Sequence, residues 1–321
     1  MSAPSRSTGS ARKPERIVVV AGATGVGKTA LAVSLCERIG GEIVSADSRQ
    51  VYRRMEVGTA KPSAEERRRV RHHLIDVVDP DDEFDASVWR RLAEGAIDEI
   101  RQAGKVAVVC GGTGLYIRGL VSGLFDGPSA DEDLRARLAD EERAAPGVLH
   151  ARLRVVDAEA AVRIHPNDMV RIVRALEVLE STGKPISVWQ REHALAERRY
   201  EVLALEVALA REELYERINR RSAEMVEGGL VAELAGLHGA GYAPSLKAFA
   251  AIGYREAGMC LEGNLAEPEL AGAVAQATRQ YAKRQLVWIR GQMDAEAVAD
   301  VATALARVEE FLHAVTPEAR D

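Results

Sequence analysis

No stretch of this 321-residue chain stays apolar for the roughly 18 residues that a membrane-spanning helix needs. A membrane partner is therefore not expected. The first fifteen residues are rich in Ser, Arg, Pro and Gly and contain no apolar run of the signal-peptide kind, so residues 1–15 are expected to be a disordered tail. Cysteine is scarce. Cys36, Cys110 and Cys260 lie far apart with no C-x-x-C pair, which speaks against a disulfide framework or a zinc site and for a cytoplasmic protein. No internal repeat is visible, and no N-K-x-D motif of a guanine-reading GTPase occurs. Net charge is also low, at −6, and most of it belongs to the stretch from Asp294 onward, with seven acids against two arginines. Elsewhere the chain is near neutral, with basic segments at 53–71 and 276–292 that fit a polyanionic partner.

What the chain does contain is a glycine loop in the right setting. Gly22-Ala23-Thr24-Gly25-Val26-Gly27-Lys28-Thr29 matches G-x-x-x-x-G-K-[ST] at every fixed position. The β-branched run 17–21 predicts a buried strand feeding it, and residues 29–36 predict a helix stopped at Gly40-Gly41. Backbone N–H groups, a helix N-terminus and the Lys28 ammonium make an anion site for a diphosphate or longer phosphate chain. Thr29 is the expected Mg²⁺ ligand.

Further along, residues 42–46 predict a strand that delivers Asp47-Ser48-Arg49-Gln50 at its C-terminal end, where open parallel sheets bind ligands. A polar helix is expected over 63–71 and a strand over 73–78, the adjacent His72 and His73 being structural. Asp85 caps a helix whose buried stripe is Val88, Leu92, Ala96 and Ile100. The strand 105–110 runs into a second glycine loop, Gly111-Gly112-Thr113-Gly114. After Ser122 strand signals stop. Asn167 is the expected cap of a helix over 168–182, and a strand returns at 202–207. Helices follow at 211–225 and 268–290. Strand–helix alternation means an α/β fold with a parallel sheet. Its expected parts are a core of 16–122 and 200–293, a helical insertion of 123–199 and an acidic helical tail of 294–321.

Six segments in fixed order then carry a family resemblance. They are Ser45-Ala46-Asp47-Ser48-Arg49-Gln50-Val51-Tyr52, Val57-Gly58-Thr59-Ala60-Lys61-Pro62, His72-His73-Leu74-Ile75-Asp76, Gly111-Gly112-Thr113-Gly114-Leu115-Tyr116, Ile252-Gly253-Tyr254-Arg255-Glu256 and Tyr281-Ala282-Lys283-Arg284-Gln285. The chain resembles bacterial tRNA dimethylallyltransferases from the glycine loop to about Arg290. The resemblance implies a P-loop NTPase-like core with a helical insertion. It implies transfer of a dimethylallyl group from dimethylallyl diphosphate to the exocyclic amine of the adenine 3′-adjacent to the anticodon. Asp47 would be the general base, the alternative being an N-cap or a carboxylate behind the Mg²⁺ ligands. Thr24 and Lys28 would stabilise the leaving diphosphate, and Arg255 would join them. Ser48, Arg49, Gln50, Thr113, Gly253, Tyr254, Arg255, Lys283 and Arg284 would meet the tRNA from the core. Arg135, Arg171 and Arg174 would grip the anticodon loop from the insertion, the alternative for Arg171 and Arg174 being a surface ion pair with Asp168 or Glu177. Mg²⁺ is the implied cofactor and a monomer the implied state. An ATP-dependent nucleoside or metabolite kinase, and a prenyltransferase acting on free adenine nucleotide, remain as alternatives.

Overall fold

The computed structural model of the protein describes residues 14–123, 127–128, 131–194 and 199–314. Residues 1–13 and 315–321, most of the expected N-terminal tail and the end of the acidic one, lie outside them. Strand β1 (Glu15–Ala21) alternates Ile17, Val19 and Ala21 into one apolar cluster with Val18 and Val20 into another. A β-branched run buried on both faces is what a central parallel strand requires. Helix α1 (Lys28–Ile39) follows the first glycine loop and ends where Gly40 turns left-handed at φ 66°. Next come β2 (Gly41–Ala46), α2 (Ala64–Arg69) with a Ser63–Glu66 capping box, β3 (His72–His73), α3 (Ala86–Gln102), β4 (Val106–Gly111) and α4 (Gly114–Ser122).

The second half of the core begins with β5 (Tyr200–Val207), α10 (Arg211–Glu227), α11 (Leu230–Gly239) and α12 (Tyr254–Leu261). It closes with α13 (Glu267–Gln292), β6 (Glu296–Val298) and α14 (Val301–His313). Among the described residues the strands form one parallel sheet in the order β3-β2-β4-β1-β5-β6. One face buries Trp89, Ile117, Leu230, Tyr254 and Leu270 against it; the other buries α1 and α14.

A separate compact unit, Ser122–Arg198, holds α5 (Glu132–Ala144), α6 (Val148–Val156), α7 (Ala158–Arg163), α8 (Met169–Thr182) and α9 (Ile186–Ala194). It has its own core, in which Leu134, Leu138, Leu149, Leu153, Ile172 and Leu176 meet. Side-chain caps from Asp131, Asp157 and Asp168 start three of its helices.

Five expectations need correcting. The strand predicted over 73–78 shrinks to two residues, because Leu74 and Asp76 take left-handed φ of 63° and 58°. Asp76 is held there by Arg67 at 3.0 Å and by Lys61, partners no local pattern reveals. The stripe of α3 is Trp89, Ala93, Ala96, Ile97 and Ile100, and Leu92 is 41% exposed. The α8 cap is Asp168 rather than Asn167. The acidic end of the chain is no separate tail: β6 pairs with β5, and Val298, Ala304 and Val308 are buried beside Leu31 and Leu35 of α1. At the other end, Glu15 already belongs to β1, so the fold begins inside the expected tail.

Candidate active site

Strand register brings three loops to one edge of the sheet. Ala21 pairs with Gly111, and Gly111 pairs with Ala46. The first glycine loop, the second glycine loop and the Asp47 turn therefore leave β1, β4 and β2 at the same height. Two inter-strand steps, about 10 Å, separate the first loop from the turn. The floor between them is low. A Cβ on Gly111 would fall 2.2 Å from the Ala46 carbonyl oxygen, so only glycine lets β4 approach β2 there.

In the first loop Gly25 and Gly27 adopt φ of 88° and 98°, values that favour glycine and turn the backbone N–H groups toward one another. Val26 anchors the loop in a cluster with Leu214, Ile218, Ala275 and Ala282. The Lys28 ammonium donates to the Ala23 carbonyl at 2.8 Å, folding its stem over the loop. Burial lowers the Lys28 pKa; Cys110 and Asp47 oppose this and Arg221 adds to it. Burial also lifts the neighbouring Cys110 thiol to about 11, leaving it protonated near neutrality.

The Asp47 turn is built by its own carboxylate. Asp47 Oδ1 accepts from the Arg49 amide at 2.8 Å and from the Gln50 amide at 3.3 Å, which makes the residue a turn cap as well as a carboxylate at a strand end. Thr113 braces it from the second loop: its Oγ1 accepts from the Ser48 amide at 3.0 Å, and its own amide donates to Ala46 O at 3.1 Å. Trp89 supports this edge from below, donating to Ser45 O at 2.9 Å and stacking on Tyr116 at 4.7 Å. From α13, Gln285 accepts from the Thr24 amide at 2.8 Å and donates to Gly112 O at 2.8 Å.

Helix α10 adds two cations that sequence reasoning missed. Arg217 donates to Val26 O at 3.4 Å, within the first loop. Arg221 donates to Ala60 O at 3.3 Å; burial lowers its pKa, and the Asp47 carboxylate raises it. Their spacing of four residues puts both on one helix face. That spacing was visible in Arg217 and Arg221, but nothing in the sequence tells which face of α10 covers the loop.

Several expected tRNA contacts are engaged otherwise. Tyr254 is 0% exposed, and its hydroxyl donates to Glu233 while accepting from the Gly58 amide at 3.3 Å. A Cβ on Gly58 would meet its ring at 2.4 Å, so this tyrosine joins two motifs of the resemblance from inside. Gly253, at φ 95°, starts α12 there, its amide donating to Glu256 at 2.7 Å. Arg255 donates to Glu256 at 3.1 Å, and none of its described hydrogen bonds goes to the first loop. The Gln50 amide is spent on Ser45 and Ala60 O. Arg49 reaches Lys247 O at 3.3 Å. Lys283 and Arg284 stay exposed on α13, with Arg284 over the Tyr281 ring at 5.7 Å.

Within the insertion the ion pairs weighed for Arg171 and Arg174 are formed, and Arg135 is paired as well. Arg135 donates to both oxygens of Glu177, at 2.9 and 3.1 Å, and Arg174 pairs with the same 0%-exposed carboxylate. Arg171 lies 3.4 Å from Asp168 and is 71% exposed, which leaves it the most accessible of the three.

The sequence profile of a family described as IPP transferase matches residues 50–292. A tRNA dimethylallyltransferase 1 from Citrifermentans bemidjiense is 48% identical over 304 residues, covering 94% of this chain and 98% of the relative. The tRNA dimethylallyltransferase of Geobacter metallireducens is 51% identical over 277 residues, covering 86% and 89%. Among solved structures, the full-length tRNA isopentenylpyrophosphate transferase of Bacillus halodurans superposes with a TM-score of 0.68 at 36% identity, covering 93% of this chain and 95% of that one. A eukaryotic dimethylallyltransferase acting on tRNA superposes at 0.76 with 27% identity, covering 95% and 81%.

Proposed function

The chain belongs to the IPP transferase family and is a prenyl transferase acting on tRNA; from that premise we propose a donor, an acceptor atom and a role for each side chain. The donor is dimethylallyl diphosphate. The acceptor is the exocyclic N6 amine of the adenine 3′-adjacent to the anticodon. The bond from the allylic carbon to the diphosphate oxygen breaks, a bond from that carbon to N6 forms, and N6 gives up a proton. The observation that carries this reading is the common height of the three loops, with the Asp47 turn two strands from the glycine loop.

Each half of the reaction then has its machinery. Loop amides, the Lys28 ammonium and the Arg221 guanidinium stabilise charge on the departing diphosphate, and the Thr24 hydroxyl donates to its bridging oxygen. Asp47 takes the N6 proton; its Oδ1 is already committed to the turn, which directs Oδ2 to the amine. An anticodon loop is single-stranded already, so presenting one base costs only a few kcal/mol. Among the described residues no group of three or more His, Cys, Asp or Glu converges as a metal site. A Mg²⁺ ion would therefore rest on the Thr29 hydroxyl, diphosphate oxygens and water, a ligand set that suits it, and would neutralise diphosphate charge. Arg171, Lys283 and Arg284 are the exposed cations we assign to tRNA phosphates. No described helix is long and apolar enough to cross a membrane, and we place the enzyme in the cytoplasm as a monomer.

The test supplies labelled dimethylallyl diphosphate, Mg²⁺ and unmodified tRNA to wild type and to Asp47→Asn, which keeps the turn acceptor. Label should enter tRNA and fall at least about 100-fold in the variant, while inorganic pyrophosphate still binds. Label on free adenosine monophosphate alone would replace the acceptor. ATP consumption with a nucleoside acceptor, without label transfer, would replace the reaction.

A further inference from the structure

We propose that Gln285 is a positioning residue for this transfer, tying the diphosphate loop to the base-bearing turn through the second glycine loop. The inference rests on the reaction proposed above. Helix α13 buries Leu270, Val274, Ala275, Ala282 and Ile289, and one amide among them, Gln285. A buried amide costs stability unless both ends are bonded, and here both are. Its oxygen accepts from the Thr24 amide and its nitrogen donates to Gly112 O, each at 2.8 Å. A Cβ at Gly112 would lie 2.1 Å from the Gln285 nitrogen, so glycine at that position makes the space the amide occupies.

One turn earlier on the same face, Tyr281 lies beside the Thr113 side chain, whose Oγ1 takes the Ser48 amide. The connection therefore runs from Thr24 through Gln285 to Gly112 and Thr113, and from there to the residue beside Asp47. Leaving group and proton acceptor sit on different loops, about 10 Å apart across the sheet. A misplacement of about 1 Å between reacting groups costs on the order of 100-fold in rate. The Gln285 amide touches neither reactant, and it fixes the distance between the two groups that do.

Two variants separate positioning from packing. Gln285→Met keeps length and apolar bulk and makes neither bond. It should keep its thermal unfolding transition and bind inorganic pyrophosphate within about threefold, while single-turnover transfer to tRNA falls about 30- to 100-fold. In Gln285→Glu the substituted carboxyl, once protonated, can accept from Thr24 and donate to Gly112 O. Its rate relative to wild type should therefore climb toward one as pH falls. Wild-type transfer by folded Gln285→Met would overturn the proposal. So would a loss that tracks weakened pyrophosphate binding, or a Gln285→Glu profile parallel to wild type, and the latter decides the matter if Gln285→Met does not fold. A wild-type protein that labels no tRNA overturns the reaction itself, a result distinct from all of these.

Discussion

Arg221 enters the site on α10 and donates to the Ala60 carbonyl, half-buried and with the Asp47 carboxylate as a charge neighbour. A half-buried cation in that position is set to receive an anion. Replacing it by alanine should weaken pyrophosphate binding roughly 10- to 100-fold, the range of a hydrogen bond to a charged group, as read by calorimetric titration. An unchanged affinity would assign Arg221 to the fold instead. Lys28 makes a pH-dependent prediction. Burial holds its pKa below the ordinary 10.5, so the charged form is disfavoured in the free protein. Stability of the free protein should therefore rise as pH climbs from the lowered value toward 10.5. A bound diphosphate favours the ammonium and reverses the shift. The advantage of wild type over Lys28→Met in pyrophosphate affinity should shrink across the same range, and a flat ratio would place Lys28 away from the ligand. The placement of Thr24, Lys28 and Asp47 at the strand ends was legible because fixed spacings between a strand and a helix N-terminus set it. Arg221 and Tyr254 were not, because long-range packing alone decides that one faces the loop and the other is buried beneath Gly58.

Helix α8 and the start of α5 are joined by one carboxylate. Burial pushes the Glu177 pKa up, yet hydrogen bonds from Arg135, the Asp131 amide and Arg174 outweigh it and hold the group below the usual carboxylate range. Its contribution should be present above that range and lost as pH falls through the lowered value. Glu177→Gln should lower the melting temperature of the insertion and weaken tRNA retention in a filter-binding assay, leaving pyrophosphate binding by the core within about twofold. Equal loss of both ligands would tie the insertion's stability to the core. Elements with strong periodicity were readable, among them β1, α1, β4, β5 and α13. Two short strands were read less well: β3 was expected to run to 78, but two left-handed residues end the pairing, and in β6 Glu296-Ala297-Val298 is too brief and too polar to show alternation.

At the scale of the whole molecule, the acidic end of the chain belongs to the sheet. Val298, Ala304 and Val308 are buried against α1, the helix that carries Lys28 and Thr29. Burial of a large apolar side chain is worth roughly 1.5–3 kcal/mol, so this segment holds a sizeable part of the 5–15 kcal/mol typical of a domain. A chain stopped after Met293 should lose both thermal stability and pyrophosphate binding, measured by scanning calorimetry with and without the anion. Retention of both would return residues beyond 293 to the status of an appendage. Sheet order has one more consequence, set by the ribosome. Strand β1 gains one neighbour, β4, by residue 111, but its other neighbour, β5, ends at Val207, with the whole insertion translated between them. At 5–20 residues per second the nascent chain spends roughly 5–20 s with the edge of β1 uncovered. Through that interval the insertion, with its own apolar core, has time to collapse first. Slowing translation within codons 124–198 should lengthen the exposure and raise the share of newly made chains that need a chaperone.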